Sequence, residues 1–201
     1  MDWKNEEYAI IYELKLQISE MLIKTRGIVF KSIKYSETSL IVDIYTEEKG
    51  LRKYLISGVR SKKAKTSAGL FQVMSLVDLV AYHRDDKDLT RIKEIKPSYV
   101  YQNIPFNLKR GAIGMFMAEI AQKSIRETEE NPELFDFLFN SFRYLDQTKA
   151  PVANIHLHFL LELTLFLGII LSGYYHPSSL FFDLKECCYM AAPPHHTNYL
   201  S

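Results

Sequence analysis

Between residues 22 and 97 the hydrophobic and polar positions alternate with a period of two, which is typical of half-buried β-strands. Leu40, Val42 and Ile44, for example, fall on one face of an extended chain, and Asp43 falls on the other. Turn-forming residues separate the alternating segments. The pattern predicts five strands, over Leu22–Ile33, Leu40–Tyr45, Leu51–Ser57, Leu70–His83 and Leu89–Lys96.

Five short strands without a helical segment long enough for a βαβ crossover predict a small antiparallel barrel or sandwich. A five-stranded barrel that binds oligonucleotides, the OB-fold, is the commonest functional form of this plan. An SH3-like barrel fits the strand count about as well. Pro97 is expected to end the fifth strand, because proline cannot donate to a strand ladder.

After the last strand the apolar positions change to the spacing of α-helices. The first helix is predicted over Leu108–Thr128. Asn131 and Pro132 indicate the start of the second, since asparagine is a good N-cap and proline suits the first helical position. A third helix is predicted over Val152–Leu171, and residues 178–186 favour a short fourth one. The predicted fold class is therefore α+β, with an N-terminal five-stranded antiparallel barrel followed by an all-helical C-terminal domain.

The charges divide the chain in the same place. The formal net charge is only +1, but residues 21–100 carry 16 Lys and Arg against 9 Asp and Glu, whereas residues 101–201 carry 7 against 10. Residues 1–20 carry 2 against 5. A cationic strand-rich part favours a polyanionic partner. We expect an N-terminal extension at 1–20, a nucleic-acid-binding domain at 21–100 and a helical domain at 101–201.

Two further observations bear on the cellular compartment. The only two cysteines are adjacent, at 187 and 188, which excludes a disulfide framework and favours a reducing compartment. The most apolar window, Leu157–Leu171, is short for a membrane span and is interrupted by His158 and Glu162. A cytoplasmic protein without membrane association is expected.

The strongest candidate site is a set of cations in and around the predicted barrel. Four of them lie within six positions between two strands, and no acidic residue occurs from Lys49 to Gln72. Lysine and arginine spaced along a groove neutralise successive phosphates and release counterions, which drives sequence-independent binding of nucleic acids. Tyr35, in a turn-like segment, is the aromatic residue most expected to be exposed and able to stack on a base. The candidate residues are Arg26, Lys31, Lys34, Tyr35, Arg52, Lys53, Arg60, Lys62, Lys63, Lys65, Arg91 and Lys93.

The alternative to a nucleic-acid site is a solubilising basic loop beside ordinary core aromatics. Two other classes of protein also fit. An RNA-binding OB module of the translation apparatus would share the barrel and the basic loop, and an interaction adaptor would act through the helical domain.

Metal binding and catalysis find little support in the sequence. Cys187, Cys188, His195 and His196 cluster within ten residues. Structural zinc sites space their cysteines by two to four residues, whereas adjacent cysteines tend to point apart. The sequence contains no glycine-rich phosphate loop, no nucleophile elbow and no His-Glu-x-x-His motif. We therefore expect no metal, no cofactor and no covalent catalysis.

The segment Tyr35–Gly50, which reads YSETSLIVDIYTEEKG, is followed by GVRSKK at Gly58–Lys63 and by Leu70-Phe71-Gln72. Together with TRGIV at Thr25–Val29, these segments resemble the RecO family of bacterial recombination mediators. The resemblance runs from Met21 to the C-terminus and is greatest to RecO proteins of the Bacteroidetes type.

The resemblance implies an OB-fold barrel, a helical C-terminal domain and no covalent chemistry. It also implies binding to single- and double-stranded DNA and annealing of complementary strands, in a cytoplasmic, nucleoid-associated protein. RecO proteins work with RecR, and in many bacteria with RecF, to load RecA onto DNA coated by single-stranded DNA-binding protein (SSB). In some members the helical domain binds the C-terminal tail of SSB.

This sequence departs from the family pattern in three places. The four-cysteine zinc site of many members is missing, so no zinc is expected. Residues 1–20 have no recognised counterpart, and relatives usually continue beyond the position of Ser201. A helical domain truncated at its C-terminus is therefore expected.

Overall fold

Five strands close into a barrel in the N-terminal half of the chain. The structure, a computed structural model, describes residues 21–59, 68–83, 88–126, 129–169 and 175–201. The predicted extension at 1–20 lies outside the described residues. The strands of the barrel are β1 (Met21–Lys34), β2 (Leu40–Thr46), β3 (Gly50–Ile56), β4 (Leu76–His83) and β5 (Leu89–Tyr99).

Around the barrel the strands follow the order β1-β2-β3-β5-β4, with β4 pairing back onto β1. The prediction of a five-stranded barrel is confirmed, and its OB-fold order excludes the SH3-like alternative. Not every pair is antiparallel, however, because β3 and β5 are parallel over Lys53–Leu55 and Leu89–Arg91. The chain returns to β5 only after forming β4 on the far side, so β5 enters beside β3 in the same direction.

Alternate side chains of each strand fill the barrel, as the period of two predicts. Among the fully buried ones are Val29, Val42, Ile44 and Leu79, each no more than 1% exposed. Burying a side chain of this size stabilises the fold by about 1.5–3 kcal/mol. The barrel interior is therefore a packed core, and ligands can reach only its outer face and its loops.

Two strand boundaries differ from the prediction. The fourth strand begins at Leu76 instead of Leu70, because a 3₁₀ turn at Ala68–Phe71 directs Phe71 into the core. The fifth strand continues through Pro97, which stands opposite Val77 of β4. Beyond Arg91 no described strand pairs with the other side of β5, and a proline is tolerated where its nitrogen faces an open edge.

Three helices follow the barrel, as predicted. They are α1 (Leu108–Ser124), α2 (Pro132–Gln147) and α3 (Ile155–Phe166). The predicted start of α2 is confirmed, since Asn131 Oδ1 accepts a hydrogen bond of 3.0 Å from the Leu134 N–H. The apolar stripe of α2 is buried, and it comprises Leu134, Phe135, Leu138, Phe139, Phe142 and Leu145.

The C-terminal part is not entirely helical. The short helix predicted over 178–186 is wrong, because a three-stranded sheet of order β7-β6-β8 forms there instead. Its first strand ends at Asp183, whose Oδ1 accepts hydrogen bonds from the Lys185 and Glu186 N–H groups and so turns the chain back. The three strands are β6 (Phe181–Asp183), β7 (Cys188–Met190) and β8 (Tyr199–Leu200).

The barrel, α1 and α2 belong to one compact unit that ends at His156, and Leu157–Ser201 form a second. The predicted domain boundary near residue 100 stays a prediction. No helix among the described residues is both long enough and apolar enough to cross a lipid bilayer.

Candidate nucleic-acid interface

The outer face of the barrel brings three of the predicted cations together. Lys31 of β1 stands opposite Asp43 of β2, which in turn stands opposite Lys53 of β3. Leu55, two residues further along β3, is level with Arg91 of β5. Because alternate residues share a face of a sheet, Lys31, Lys53 and Arg91 lie on one surface. All three are exposed.

The spacing of these cations suits a polyanion. Neighbouring strands lie about 4.8 Å apart, so Lys31 and Lys53 stand roughly 10 Å apart across β2. That separation is about one Debye length at 0.1 M ionic strength, so the fields of the two lysines add. A strand of nucleic acid lying across β1–β3 would therefore meet a positive charge on each side of Asp43.

An apolar strip runs beside the cations on the same face. Ile33, Ile41 and Leu55 are paired in register across β1, β2 and β3, and Ile33 is 46% exposed. The turn after β1 is closed by a 3.0 Å hydrogen bond from the Tyr35 N–H to the Ser39 carbonyl. Tyr35 itself is 64% exposed. The face thus combines exposed positive charges with apolar side chains.

Other predicted residues occupy different positions on the barrel. Lys34 is exposed at the last position of β1. Arg52 is half-buried on the inward-facing side of β3, in the same alternation as Tyr54. Burial raises the pKa of Tyr54, and the charge of Arg52 opposes that shift. Lys93 is exposed where a register shift interrupts the β4–β5 pairing, and it lines a groove between β5 and the end of β3.

Four predicted residues, Arg60, Lys62, Lys63 and Lys65, lie outside the described residues, and their part in the site stays a prediction. The aromatic residues can be placed. Phe30, Tyr54 and Phe71 are each 1% exposed and belong to the core. Tyr35 is the exposed aromatic of this set, as expected from its position in a turn.

Arg26 links the barrel to α2. Its guanidinium bonds to both carboxylate oxygens of Glu47, at 2.6 and 2.8 Å, and to Asp136 Oδ1 of α2 at 2.8 Å. It also lies over the rings of Phe135 and Phe139, 5.1 and 5.0 Å from their centroids. Two carboxylates and two aromatic rings surround this guanidinium, so few of its N–H donors remain for a phosphate.

Replacing Arg26 with alanine is expected to lower the free energy of unfolding by about 1–2 kcal/mol, since partly exposed ion pairs and cation–π contacts are each modest. The affinity for DNA should stay within twofold of that of the unmodified chain. Urea denaturation and DNA titration measure the two effects. Lys96→Ala is the control, because Lys96 is 72% exposed and its ion pair with Asp78 is long at 3.7 Å. A large loss of DNA affinity in Arg26→Ala alone would return Arg26 to the interface.

A buried carboxylate that the sequence did not single out fixes the connection between β5 and α1. Asp146, which is fully buried, accepts hydrogen bonds from the Tyr99 hydroxyl and from the N–H groups of Gln102, Asn103 and Ile104, at 2.8–2.9 Å. Burial disfavours its charge, but these four donors outweigh burial, and the pKa of Asp146 lies below its usual value. The network fixes the turn between β5 and α1 to the C-terminal end of α2, and Tyr45 of β2 is buried against Phe135 of the same helix.

Arg110 completes this connection at the C-terminal end of α2. It donates hydrogen bonds to the carbonyl of Leu145 and, at 2.7 Å, to the carbonyl of Thr148. These carbonyls have no hydrogen-bond partner within the helix, and Arg110 supplies one. Its positive charge also interacts favourably with the negative end of the helix dipole.

A closed five-stranded barrel of this order, with cations on its outer face and helices after it, defines an OB-fold protein joined to a helical region. Residues 21–101 match the family described as "Recombination protein O N terminal", and residues 105–176 match "Recombination protein O C terminal". The chain belongs to the RecO family of DNA repair and recombination proteins.

Curated relatives agree with this assignment. The DNA repair protein RecO of Phocaeicola vulgatus is 38% identical over 90% of this chain and 75% of its own length. The protein of the same name from Bacteroides fragilis is also 38% identical, over the same shares. That of Christiangramia forsetii is 42% identical over 74% of this chain and 62% of its own length.

Proposed function

We propose that this protein binds single- and double-stranded DNA on the outer face of its barrel and anneals complementary strands. The observation that carries the proposal is the common surface of Lys31, Lys53 and Arg91 beside an exposed apolar strip. Each cation that meets a phosphate releases counterions, which favours binding whatever the base sequence.

The proposed site keeps most of the predicted residues. Lys31, Lys53 and Arg91 form its centre, with Lys34 and Tyr35 at the end of β1. Lys93 borders it, and Arg60, Lys62, Lys63 and Lys65, which lie outside the described residues, stay predicted members of the site. Arg26 and Arg52 are left out, because the first is bound to two carboxylates and the second is on the inward-facing side of β3.

Charge neutralisation favours annealing. Two DNA strands repel each other through their phosphates, and cations that neutralise both backbones lower that repulsion while the bases pair. The protein needs no covalent step, no metal and no cofactor for this. Exposed Tyr35 supplies a ring face on which an unpaired base can stack, worth about 1–3 kcal/mol.

In the cell we propose that the protein acts as a recombination mediator together with RecR and, where it is present, RecF. The three would help RecA to assemble on single-stranded DNA coated by SSB. Membership of the RecO family supports these partners. The helical region is the proposed contact for the C-terminal tail of SSB.

A strand-annealing assay on complementary oligonucleotides coated with the cognate SSB tests the proposal. The rate should rise with protein concentration and fall steeply with salt, because binding depends on counterion release. A structured RNA added as competitor at fixed salt separates DNA binding from RNA binding. Equal rates with and without the protein would rule out annealing, and tighter binding of the RNA would favour the translation module.

The predicted basic loop, which contains Arg60, Lys62, Lys63 and Lys65, is tested separately. Reversing the charges of Arg60, Lys62, Lys63 and Lys65 together should weaken DNA binding and make it less dependent on salt, since fewer phosphates are neutralised. Fluorescence anisotropy over a salt series measures both quantities. Unchanged affinity and an unchanged salt slope would remove this loop from the mechanism.

A further inference from the structure

The outward side of α1 carries a stripe of exposed apolar side chains. Leu108 is 90% exposed, Met115 49% and Phe116 37%. Their positions, with that of exposed Ala112, repeat at helical spacing and so share one side of the helix. The opposite side of α1 is fully committed to the core through Gly114, Met117, Ala118 and Ala121. The helix is therefore apolar on both sides, and among the described residues only one side is fully covered, although Phe116 on the other side lies edge-on to His156, with 5.8 Å between the ring centroids.

The stripe is large and firmly held. Phe106, in the turn before α1, is 87% exposed, and this turn is anchored by the hydrogen bond from the Ile104 N–H to Asp146. Together with Leu108, Met115 and Phe116 it exposes on the order of 500 Å², as much as the largest apolar patch of a typical monomer. Exposed apolar surface of this size is typical of interaction sites, unlike single exposed residues.

Charge and size indicate what covers the stripe. Lys109 lies near its start and Glu119 near its end, and both are exposed. When two copies of α1 lie antiparallel about Gly114, Lys109 of each meets Glu119 of the other, and two-fold symmetry repeats the pair. The same arrangement places Ala112 of one copy against Phe116 of the other, a small side chain against a large one.

We infer that α1 is the surface through which two copies of this chain associate, as an antiparallel helix pair. The dimer itself is independent of DNA, but its purpose rests on the proposed function. Each copy has one cationic barrel face, so a dimer holds two strands in one particle. Pairing of the two strands then occurs at the high effective concentration that such a linkage provides.

Sedimentation equilibrium of the full chain, without DNA, tests the association. The apparent mass should rise with protein concentration from that of one chain to that of two. Leu108→Glu and Met115→Glu should each give the mass of one chain, whereas Val100→Glu, at a 60% exposed apolar position outside α1, should not. A single-chain mass for the unmodified protein at every concentration, or equal disruption by Val100→Glu, overturns the inference.

A charge exchange tests the antiparallel arrangement. Lys109→Glu and Glu119→Lys should each weaken the dimer, because each places like charges together across the two-fold axis. The double variant should recover it, since the pairs are then restored with reversed sign. The 2.7 Å pair between Glu119 and Lys123 within one chain cannot explain such a recovery. A double variant weaker than both single variants overturns the antiparallel pairing.

The role in annealing is measured separately. Leu108→Glu should bind a single-stranded oligonucleotide with unchanged affinity and salt slope, but anneal complementary strands about tenfold more slowly or worse, because two strands no longer share one particle. Equal annealing by the single-chain variant and the unmodified dimer overturns the inferred role and leaves the proposed function intact. Absence of DNA binding by both proteins overturns the proposed function and leaves the dimer intact.

Discussion

Replacement of Asp146 by asparagine is expected to lower the free energy of unfolding by about 2–4 kcal/mol, because a buried hydrogen-bond network loses its charged acceptor. The carboxylate accepts four hydrogen bonds, three of them from consecutive N–H groups at Gln102, Asn103 and Ile104. An amide has one oxygen in place of two and turns its NH₂ group towards donors. At least one buried N–H is then left without an acceptor.

The same substitution should change how stability depends on pH. The folded-state pKa of Asp146 lies below its usual value, so the unfolded chain binds the proton more readily. The stabilisation is fully present above the unfolded pKa and is lost as the pH falls through the folded one, which places the loss below about pH 4. In that range the stability of the unmodified chain should fall more steeply than that of Asp146→Asn.

Urea denaturation between pH 3 and pH 7 measures both effects. Asp136→Asn is the matched control, because it makes the same chemical change on the same helix at a side chain that is 53% exposed. Surface ion pairs are worth about 0–1 kcal/mol, so its effect should be small. If Asp146→Asn lost no more stability than Asp136→Asn, the hydrogen-bond network would not hold the connection between barrel and helices.

The strands were predictable because each has one side in the barrel and the other in water or against a helix. A period of two therefore survives in the sequence. It does not show which cations share a side, because a register shift between Val29 and Lys31 interrupts the alternation in β1. Strict alternation from outward-facing Arg26 would place Lys31 on the inward side of β1. The register shift instead places Lys31 on the outer face, where Lys53 also lies.

The role of Arg26 could not be predicted from the sequence for a different reason. Its two carboxylate partners lie 21 and 110 residues away along the chain. Charge, residue type and strand position are the same for an arginine that binds phosphate and for one that binds Glu47 and Asp136. Only the fold distinguishes them, and it makes Arg26 a structural link.

The C-terminal sheet shows how a local side chain decides between two structures. The segment 178–186 has a composition that fits a short helix, but Asp183 uses its carboxylate to accept from the N–H groups of Lys185 and Glu186. An aspartate that bonds the backbone two or three residues ahead favours a turn over a continuing helix. Adjacent strands β6 and β7 are the result.

Reversing the charges of Lys31 and Lys53 together is expected to weaken binding to single-stranded DNA by about 10- to 100-fold at low salt. The slope of log affinity against log salt should fall by about 1.4, because each phosphate that is no longer neutralised contributes about 0.7. These two lysines stand on either side of Asp43 on the exposed face. Fluorescence anisotropy with an oligonucleotide at several salt concentrations gives both numbers. Leu108→Glu is expected to leave both unchanged.

The matched control for this pair lies over β4, on the other side of β1 from β2. Lys24 of β1 and Lys96 of β5 face outward over β4, and their double reversal changes the net charge by the same four units as that of Lys31 and Lys53. A protein that attracted DNA by net charge alone would respond equally to both double variants. The two double variants differ only in where the charge was changed. A large loss of DNA affinity for the Lys31 and Lys53 variant, with a small loss for the Lys24 and Lys96 variant, therefore requires that DNA be held at one face of the barrel.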